Sequence, residues 1–515
     1  MKKLYLFAVM AMMATQASAQ LDTYIGAQLT TEDLNGTARY VGMGGAMEAL
    51  GADISVIGTN PAGLGLFRRS HVSGSFGLVL QSDGKSFQDG SKTSASFDQL
   101  GFVYTSRMGA HSYVNFGFNY HKSRNFNHVL SAAAKAVNGS SQHRQTCIKG
   151  VDGVLGEYLG MTQLDDLMLD VIENEDGSLS YYDASDYQFD RAQTGYIGEY
   201  DFCLSGNINN RVYLGLTVGV KDVHYNSYTE YGDNLLSLDP GASYLGIIDD
   251  HRITGQGFDV KAGIIVRPVD ESPFRFGVSV STPTFYKLET ENVTSLCDKY
   301  GEFVYCDLST KFRFNTPWRF GLSLGHTVGN YLALGASYEY ADYSTNDMRT
   351  ITDSGYDWDG YYYENSTSDR VMKNHTKKTL RGVSTLKLGA EYKIDQNIAV
   401  RLGYNYVSPM YQENGVRDQM LISPGTYLAS TTDYTNWKDT HRITAGVGFT
   451  FDKFRLDLAY QYSMRKGDFY PYMNGAQATF IDDVTMEAVT ITNDCRPVSV
   501  NDNRHQLLCS LSYTF

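Results

Sequence analysis

The sequence is poor in proline and has no long apolar run after its first residues. Its 515 residues include only 10 Pro and 6 Cys, against 39 Tyr, 25 Phe and 50 Gly. Past residue 19, no stretch reaches the roughly 18 uninterrupted apolar residues that a membrane-spanning helix needs. Six cysteines cannot form a disulfide scaffold in a chain of this length, and scarce proline leaves backbone donors available for sheet hydrogen bonds. These absences exclude a helical membrane protein and a small disulfide-rich fold.

Metal-binding and catalytic motifs are also missing. No CxxC or CxxH motif occurs, so we predict no metal site and no cofactor. No nucleophile, base and orienting group can be grouped by spacing, which argues against an enzyme. The net charge of −14 argues against nucleic acid as a partner. Cys297 and Cys306 fall in one predicted loop and could form a disulfide.

The first nineteen residues have the pattern of a secretory signal peptide. Lys2 and Lys3 precede an apolar run from Leu4 to Ala14, and Ala17-Ser18-Ala19 supplies the small residues of a cleavage site. A single membrane anchor is the weaker interpretation, because the run is about a dozen residues long and a span needs about 20. We therefore predict a signal peptide over 1–19 and a mature chain that begins at Gln20.

From His71 onward, about fourteen segments alternate apolar and polar residues. The last of them, Arg504 to Phe515, places Leu507, Leu511 and Phe515 on one face. The connections alternate between short turns and long loops, as in a membrane barrel. We therefore predict an all-β fold over 71–515, a transmembrane antiparallel β-barrel of about 14 strands with long extracellular loops. Its location would be the Gram-negative outer membrane, with both termini periplasmic.

Residues 20–70 differ from the rest of the chain. They are rich in glycine and other small residues and too irregular for a strand, which favours a compact N-terminal plug, or hatch, inside the lumen. Gly42, Gly44 and Gly45 do not form a phosphate-binding loop, because no strand leads into them and no lysine follows at the required spacing.

Several motifs of this segment resemble the plug signature of the FadL/OmpP1/TodX family of outer-membrane hydrophobic-compound transporters. The similar residues are Tyr40, Gly42, Gly44, Asp53, Asn60, Pro61, Ala62 and Gly63. Downstream, the runs Thr316 to Gly321 and Val400 to Tyr404, followed by Ser408-Pro409, are similar to that family's strand motifs. The resemblance covers nearly the whole mature chain.

The resemblance implies a transport mechanism. In the family, a plug blocks the lumen, a hydrophobic ligand docks among the extracellular loops, enters an apolar pocket and leaves sideways near a kinked third strand. That strand corresponds to Ser112 to Lys122, where Gly117 is the candidate kink. A glycine in a strand is more often a packing choice.

A further indication comes from the predicted third long loop, Tyr228 to Asp250. It is unusually apolar, and its candidate ligand-binding residues are Leu235, Leu236, Leu238, Tyr244, Leu245, Ile247 and Ile248. They form either a docking groove or a set that packs against neighbouring loops.

The predicted function is passive uptake of hydrophobic small molecules, above all long-chain fatty acids, with aromatic hydrocarbons as other cargo. The alternative is a surface receptor, adhesin or haem-binding protein that would use His121, His128 and His143. The other expected partners are outer-membrane lipid and the outer-membrane barrel assembly machinery, and the chain is expected to be a monomer.

Overall fold

The computed structural model describes residues 22–151, 172–173, 179–180, 182–236, 243–298, 301, 303–418, 420–421, 423, 433–481 and 486–515. The predicted signal peptide lies outside the described residues. Within them, no helix combines the length and the apolar character needed to cross a membrane.

Most of the described chain is antiparallel strand. The strands are β1 (His71–Gln81), β2 (Thr93–Arg107), β3 (Tyr113–Asn125), β4 (His128–Lys135), β5 (Ile172–Glu173), β6 (Leu179–Ser180), β7 (Ala184–Ile208), β8 (Val212–Leu235), β9 (Tyr244–Val266), β10 (Arg275–Ser281), β11 (Phe285–Asp298) and β12 (Phe303–Asn315). They continue with β13 (Arg319–Val328), β14 (Leu332–Asp342), β15 (Asp347–Tyr356), β16 (Tyr362–Ser368), β17 (Gly382–Lys393), β18 (Ile398–Val407), β19 (Tyr434–Phe451), β20 (Phe454–Tyr470), β21 (Ala476–Ile481), β22 (Ala488–Asn493) and β23 (Val498–Thr514). The helices are α1 (Thr23–Thr30), α2 (Ala38–Gly42), α3 (Gln142–Val151) and α4 (Arg370–Thr379), with 3₁₀ turns at Ile54–Gly58, Pro61–Leu66 and Tyr343–Thr345.

The wall is a closed antiparallel barrel of 14 strands, as predicted. It closes where β1 pairs with β23, from His71 opposite Thr514 to Gln81 opposite Arg504. Five positions in the wall are each built from two consecutive pieces: β10 with β11, β12 with β13, β14 with β15, β16 with β17, and β3 with β4. Pro283 and Pro317 separate the first two pairs, because proline cannot donate to a ladder.

The two faces of the wall differ as the alternation predicted. On β18, Leu402 is 68% exposed, whereas its neighbour Arg401 is 2% exposed and faces the lumen. The outward apolar side chains form a belt that includes Phe76, Leu100, Phe116, Phe202, Leu216, Phe258, Val278, Leu322, Leu388, Leu402, Leu458 and Leu511. Such a surface is stable in hydrocarbon rather than in water.

Several strands are longer than the sequence predicted. The stretch Tyr228 to Asp250 is mainly the hairpin of β8 and β9, so the expectation of a long loop there is wrong. β7 alone has 25 residues and would extend about 80 Å, well beyond a hydrocarbon core of about 30 Å. The extra length lets neighbouring strands continue their ladders outside the bilayer. The strand ends on the long-loop side are therefore sheet rather than loop.

The N-terminal segment, residues 22–70, runs through the lumen from the long-loop end to the short-turn end. At the long-loop end Asp22 pairs with Arg417, and at the other end Ser70 leads into β1. Phe515 also lies at the short-turn end, where its N–H donates to Ser70 O at 3.0 Å. Residue 22 and the C-terminus are thus at opposite ends of the barrel, and the expectation of two periplasmic termini stays a prediction.

Candidate functional site

The glycines of the N-terminal segment lie against the backbone of the wall. Gly44 has a φ of +63°, and a Cβ there would be 2.7 Å from Tyr404 N. A Cβ at Gly42 would be 3.3 Å from the Cα of Gly446 on β19. Only glycine allows both this conformation and this distance. The motif therefore seats the segment directly on strands β18 and β19.

Polar residues of the same motif shape the segment's own turns. Asp53 caps the first 3₁₀ turn, where its carboxylate accepts from Ser55 N at 3.0 Å and from Thr37 Oγ1 at 2.9 Å. Asn60 caps the second by accepting from Ala62 N at 3.1 Å, and Pro61 begins that turn. These bonds satisfy backbone donors that the short helices leave free. The motif residues that carry the resemblance are thus mainly structural.

Buried ion pairs hold the segment to the wall. Glu391 on β17 accepts a bidentate pair from Arg39, at 2.9 Å for each bond, and a further bond from Arg401 Nε at 2.7 Å. Glu48 pairs with Lys387 Nζ at 2.9 Å. Removing one partner of a buried pair typically costs about 3–5 kcal/mol, because the other charge stays buried. The segment is therefore fixed by charge as well as by close packing.

The hydrogen-bonded wall is interrupted locally between β3 and β2. The β2–β3 ladder ends where Gln99 pairs with His121, and the described residues beyond this pair do not continue it. Towards the long-loop end, 93–97 pair with β1, and Lys122, Arg124 and Asn125 pair with β7. Both strands are irregular at this point, because Asp98 and Ser123 are each skipped in their ladders. Two bulges thus separate β2 from β3 and leave a gap.

The irregularity of β3 is not at the predicted residue. Gly117 lies in regular pairing, opposite Val103 and Cys203, and a Cβ there would be 2.7 Å from Leu64 Cδ2. Its role is close packing against the N-terminal segment. The bulge at Ser123 is instead the feature that turns β3 away from β2.

The N-terminal segment bridges the gap with two residues. Asn35 Nδ2 donates to Asp98 Oδ1 at 3.0 Å and to the carbonyl of Lys122 at 3.2 Å, so it links β2 to β3. Asp33 N donates to Ser123 O at 2.8 Å, and its carboxylate accepts from Asn125 N at 2.9 Å. Movement of these residues would change the gap directly.

A lumenal cavity of about 120 Å³ extends from this bridge, and its lining is mainly charged and polar, unlike the apolar pocket that the resemblance implied. We define the arginine cluster as Arg124, Arg442, Arg465 and Arg504 together with Asp33 and Asp502. Asp33 pairs with Arg124 at 2.8 Å, and Asp502 pairs with Arg465 and Arg504 at 2.7 Å each. Four guanidinium groups meet two carboxylates, so the cluster has an excess of positive charge.

The apolar residues predicted as a docking groove are mostly inside protein. Leu235, Leu245 and Ile247 are buried in a core at the long-loop end with Leu130, Phe189, Tyr231, Phe469 and Tyr472. Tyr244 and Ile248 are half-buried, Leu236 is 66% exposed, and Leu238 lies outside the described residues. The alternative interpretation, packing against neighbouring extracellular segments, describes the three buried residues.

The predicted cysteine pair is not brought together. Cys297 is opposite Phe303 and Cys306 is opposite Thr294, so the two lie three positions apart along the β11–β12 ladder. This offset corresponds to about 10 Å, beyond the Cα separation that a disulfide spans.

The three histidines weighed as haem ligands have different surroundings. His128 lies 3.8 Å from Asp502 and packs against Trp437, His121 faces Glu199 and Asp201, and the ring of His143 lies near that of Tyr182. Their positions do not form one axial ligand set.

Known protein structures resemble this chain in fold, whereas comparisons of its sequence find no match. No protein-family model and no curated protein sequence matches the chain. A FadL homologue from Pseudomonas aeruginosa is similar with a TM-score of 0.50 and 13% identity, over 94% of this chain and 100% of that one. The toluene transporter TbuX from Ralstonia pickettii has a TM-score of 0.49 and 13% identity, over 94% and 99% of the two chains. The resemblance to FadL-type proteins that the motifs predicted is confirmed at the level of the fold.

Proposed function

We propose that this chain is an outer-membrane transporter of a Gram-negative cell that takes up hydrophobic small molecules passively. The observation that carries the proposal is the gap in the wall between β2 and β3, bridged by Asn35 of the N-terminal segment. An apolar molecule that leaves through a lateral gap enters hydrocarbon directly and never returns to water. The free energy comes from burial of apolar surface, at about 25 cal/mol per Å². The segment acts as a plug that keeps the lumen closed to water-soluble solutes.

The surroundings of the gap are consistent with this route. On the outer wall, an apolar concavity of about 950 Å³ begins at Ser96 and Phe97 beside the gap and continues along Leu78, Leu458 and Leu507. On the inner side, the lumenal cavity reaches Asn35 and Ser123. Displacement of the bridge would join the two spaces.

The arginine cluster favours a long-chain fatty acid as the cargo over a neutral aromatic hydrocarbon. A guanidinium group binds a carboxylate through two parallel charged hydrogen bonds, whereas toluene gains nothing from an excess of positive charge. The cavity of about 120 Å³ is smaller than the roughly 150 Å³ cavity known to hold benzene, so it accommodates a head group but not an acyl chain. The tail would therefore lie in the gap and along the outer concavity.

A displacement assay tests both levels of the proposal. The purified barrel is loaded with a fluorescent fatty acid and titrated with oleate or toluene, for the wild type and for the double variant Arg442→Gln/Arg504→Gln. We expect oleate to bind about 10- to 100-fold more weakly to the double variant, because charged hydrogen bonds are worth about 1.5–3 kcal/mol. Toluene binding should be unchanged. Arg211→Gln is the control, since Arg211 pairs with Asp270 in an exposed turn.

The outcomes separate the two levels. A wild-type barrel that binds neither compound contradicts transport of hydrophobic molecules and points to a receptor role. Equal oleate binding by the wild type and the double variant contradicts only the choice of a fatty acid. Parallel loss of oleate and toluene binding would mean that the variant disturbs the structure rather than the head-group site.

A further inference from the structure

A second charged cluster lies on the wall strands β3, β7, β8 and β9. We define the acidic cluster as His121, Glu199, Asp201, Asp259, Lys221 and Lys261 together with Glu32 of the N-terminal segment. His121 is opposite Glu199 in the β3–β7 ladder, and Glu199 is opposite Lys221 in the β7–β8 ladder. Because alternate residues of a strand share a face, these side chains all point into the lumen.

Three groups of this cluster converge as metal ligands do. His121 Nε2 lies 3.9 Å from Glu199 Oε2, and His121 Nδ1 lies 3.8 Å from Asp201 Oδ2. One ligand atom from each of the three residues falls within 4.8 Å of the others. The side chain of Glu199 is 3% exposed and that of Asp201 is fully buried.

One oxygen of the cluster has an unused lone pair directed at this point. Asp201 Oδ1 accepts from Lys261 Nζ at 2.9 Å, but among the described residues no donor bonds to Oδ2, which is buried. An unsatisfied buried acceptor is costly and is therefore rare in folded proteins. Gly58 borders the same space, since a Cβ there would be 3.4 Å from His121 Cε1 and 3.5 Å from Asp201 Oδ2.

The charges of the cluster do not balance. Glu32, Glu339 and Glu48 add to its three wall carboxylates, and the permanent cations that pair with these six are Lys221, Lys261, Arg319 and Lys387. Two negative charges are left uncompensated inside the barrel. A divalent cation would neutralise both without exposing the site to water.

We propose that His121, Glu199 and Asp201 bind a divalent transition-metal ion, such as Zn²⁺, between the wall and the N-terminal segment. One imidazole and two carboxylates are a donor set suited to such ions. With metal–ligand bonds of about 2.0–2.2 Å, tetrahedral ligands are about 3.3 Å apart, so the three ligand atoms, which lie within 4.8 Å of one another, would need to approach by at most about 1.5 Å. Lys261 holds the other oxygens of both carboxylates and fixes their orientation.

The position of the ion would give it a structural role beyond the proposed transport function. His121 is the last residue of β3 that pairs with β2, and it is bound across the ladder to β7. A metal ion at this point ties β3 to β7 at the edge of the gap and supports Gly58 of the N-terminal segment.

The test is metal binding by the purified full-length barrel, prepared without a polyhistidine tag. After treatment with chelator, the wild type is titrated with Co²⁺ and followed by visible absorbance, and bound zinc is counted by mass spectrometry. We expect one ion per chain. His121→Gln and the isosteric Asp201→Asn should each weaken binding at least about tenfold. His128→Gln is the matched control, because His128 is also a buried histidine beside a carboxylate, Asp502.

Folding of each variant is checked by its heat-dependent mobility shift on a gel, and Glu199→Gln replaces any variant that does not show the shift. A folded wild type that binds no ion would overturn the proposal. So would unchanged binding in both His121→Gln and Asp201→Asn, or an equal loss in His128→Gln. Because the readout is metal content, failure here leaves the transport proposal untouched.

Discussion

The arginine cluster and the acidic cluster face the same lumen with opposite excess charge. Two adjacent residues connect them: Asp33 pairs with Arg124, whereas Glu32 pairs with Lys221 at 2.8 Å. In an extended stretch, successive side chains point to opposite sides, so one dipeptide contacts both clusters. Neither cluster is therefore merely a set of compensating ion pairs. Each has an excess that a ligand of the opposite sign would neutralise.

Stability should fall most when a substitution increases the negative excess of the acidic cluster. Lys261→Met removes the cation shared by Glu199, Asp201 and Asp259. We expect the barrel to lose about 3–5 kcal/mol of stability, measured as the shift in urea unfolding followed by gel mobility. Lys438→Met is the control and should cost at most about 1 kcal/mol, since Lys438 is 54% exposed. Equal effects of the two substitutions would contradict a buried network.

Two substitutions that each remove one negative charge should affect the ligands of the two clusters differently. Asp33→Asn raises the positive excess of the arginine cluster, so oleate should bind about three- to tenfold more tightly while metal binding stays the same. Glu32→Gln lowers the negative excess of the acidic cluster, so Co²⁺ should bind several-fold more weakly while oleate binding stays the same. If both substitutions altered both ligands alike, the clusters would be one electrostatic unit rather than two.

A smaller effect is expected for Asn35, which bridges the gap between β2 and β3. Asn35→Ala removes the hydrogen bonds to Asp98 and Lys122 but no charge. Fatty-acid uptake into proteoliposomes should become about two- to fivefold faster, the equivalent of about 0.5–1 kcal/mol. Thr59→Ala serves as the control, because Thr59 lines the same cavity but bonds Val56 O within its own turn. A slower rate for Asn35→Ala would contradict a closing role for the bridge.

Periodicity predicted the wall because burial in a barrel follows the side-chain period. The alternation of the last strand placed Leu507, Leu511 and Phe515 on one face, and all three side chains are exposed on the outside of the wall. The sequence also located the N-terminal segment, since close-packed glycines and capping residues leave a local signature. These features depend on neighbours in sequence.

The remaining features depend on residues that are distant in sequence. The bulges at Asp98 and Ser123 have no local signal, because each arises from the register of two ladders. The sequence predicts a loop at the long ends of β8 and β9. These ends are strand because they pair with other strands outside the bilayer, and such pairing leaves no local signal. His121 and Glu199 meet only through the β3–β7 ladder, so no spacing rule could have grouped them.

The seam between β1 and β23 also constrains the order of folding. It joins His71 to Thr514, so its contact order is close to the greatest that this chain allows. Contacts of this kind form slowly, because the entropy of closing the whole intervening chain must be lost first. The ion pairs of Arg39 with Glu391 and of Glu48 with Lys387 also span most of the chain. Closure of the wall is therefore a late event that can begin only after the last strand has been synthesised, and these ion pairs of the inner segment can form only after β17.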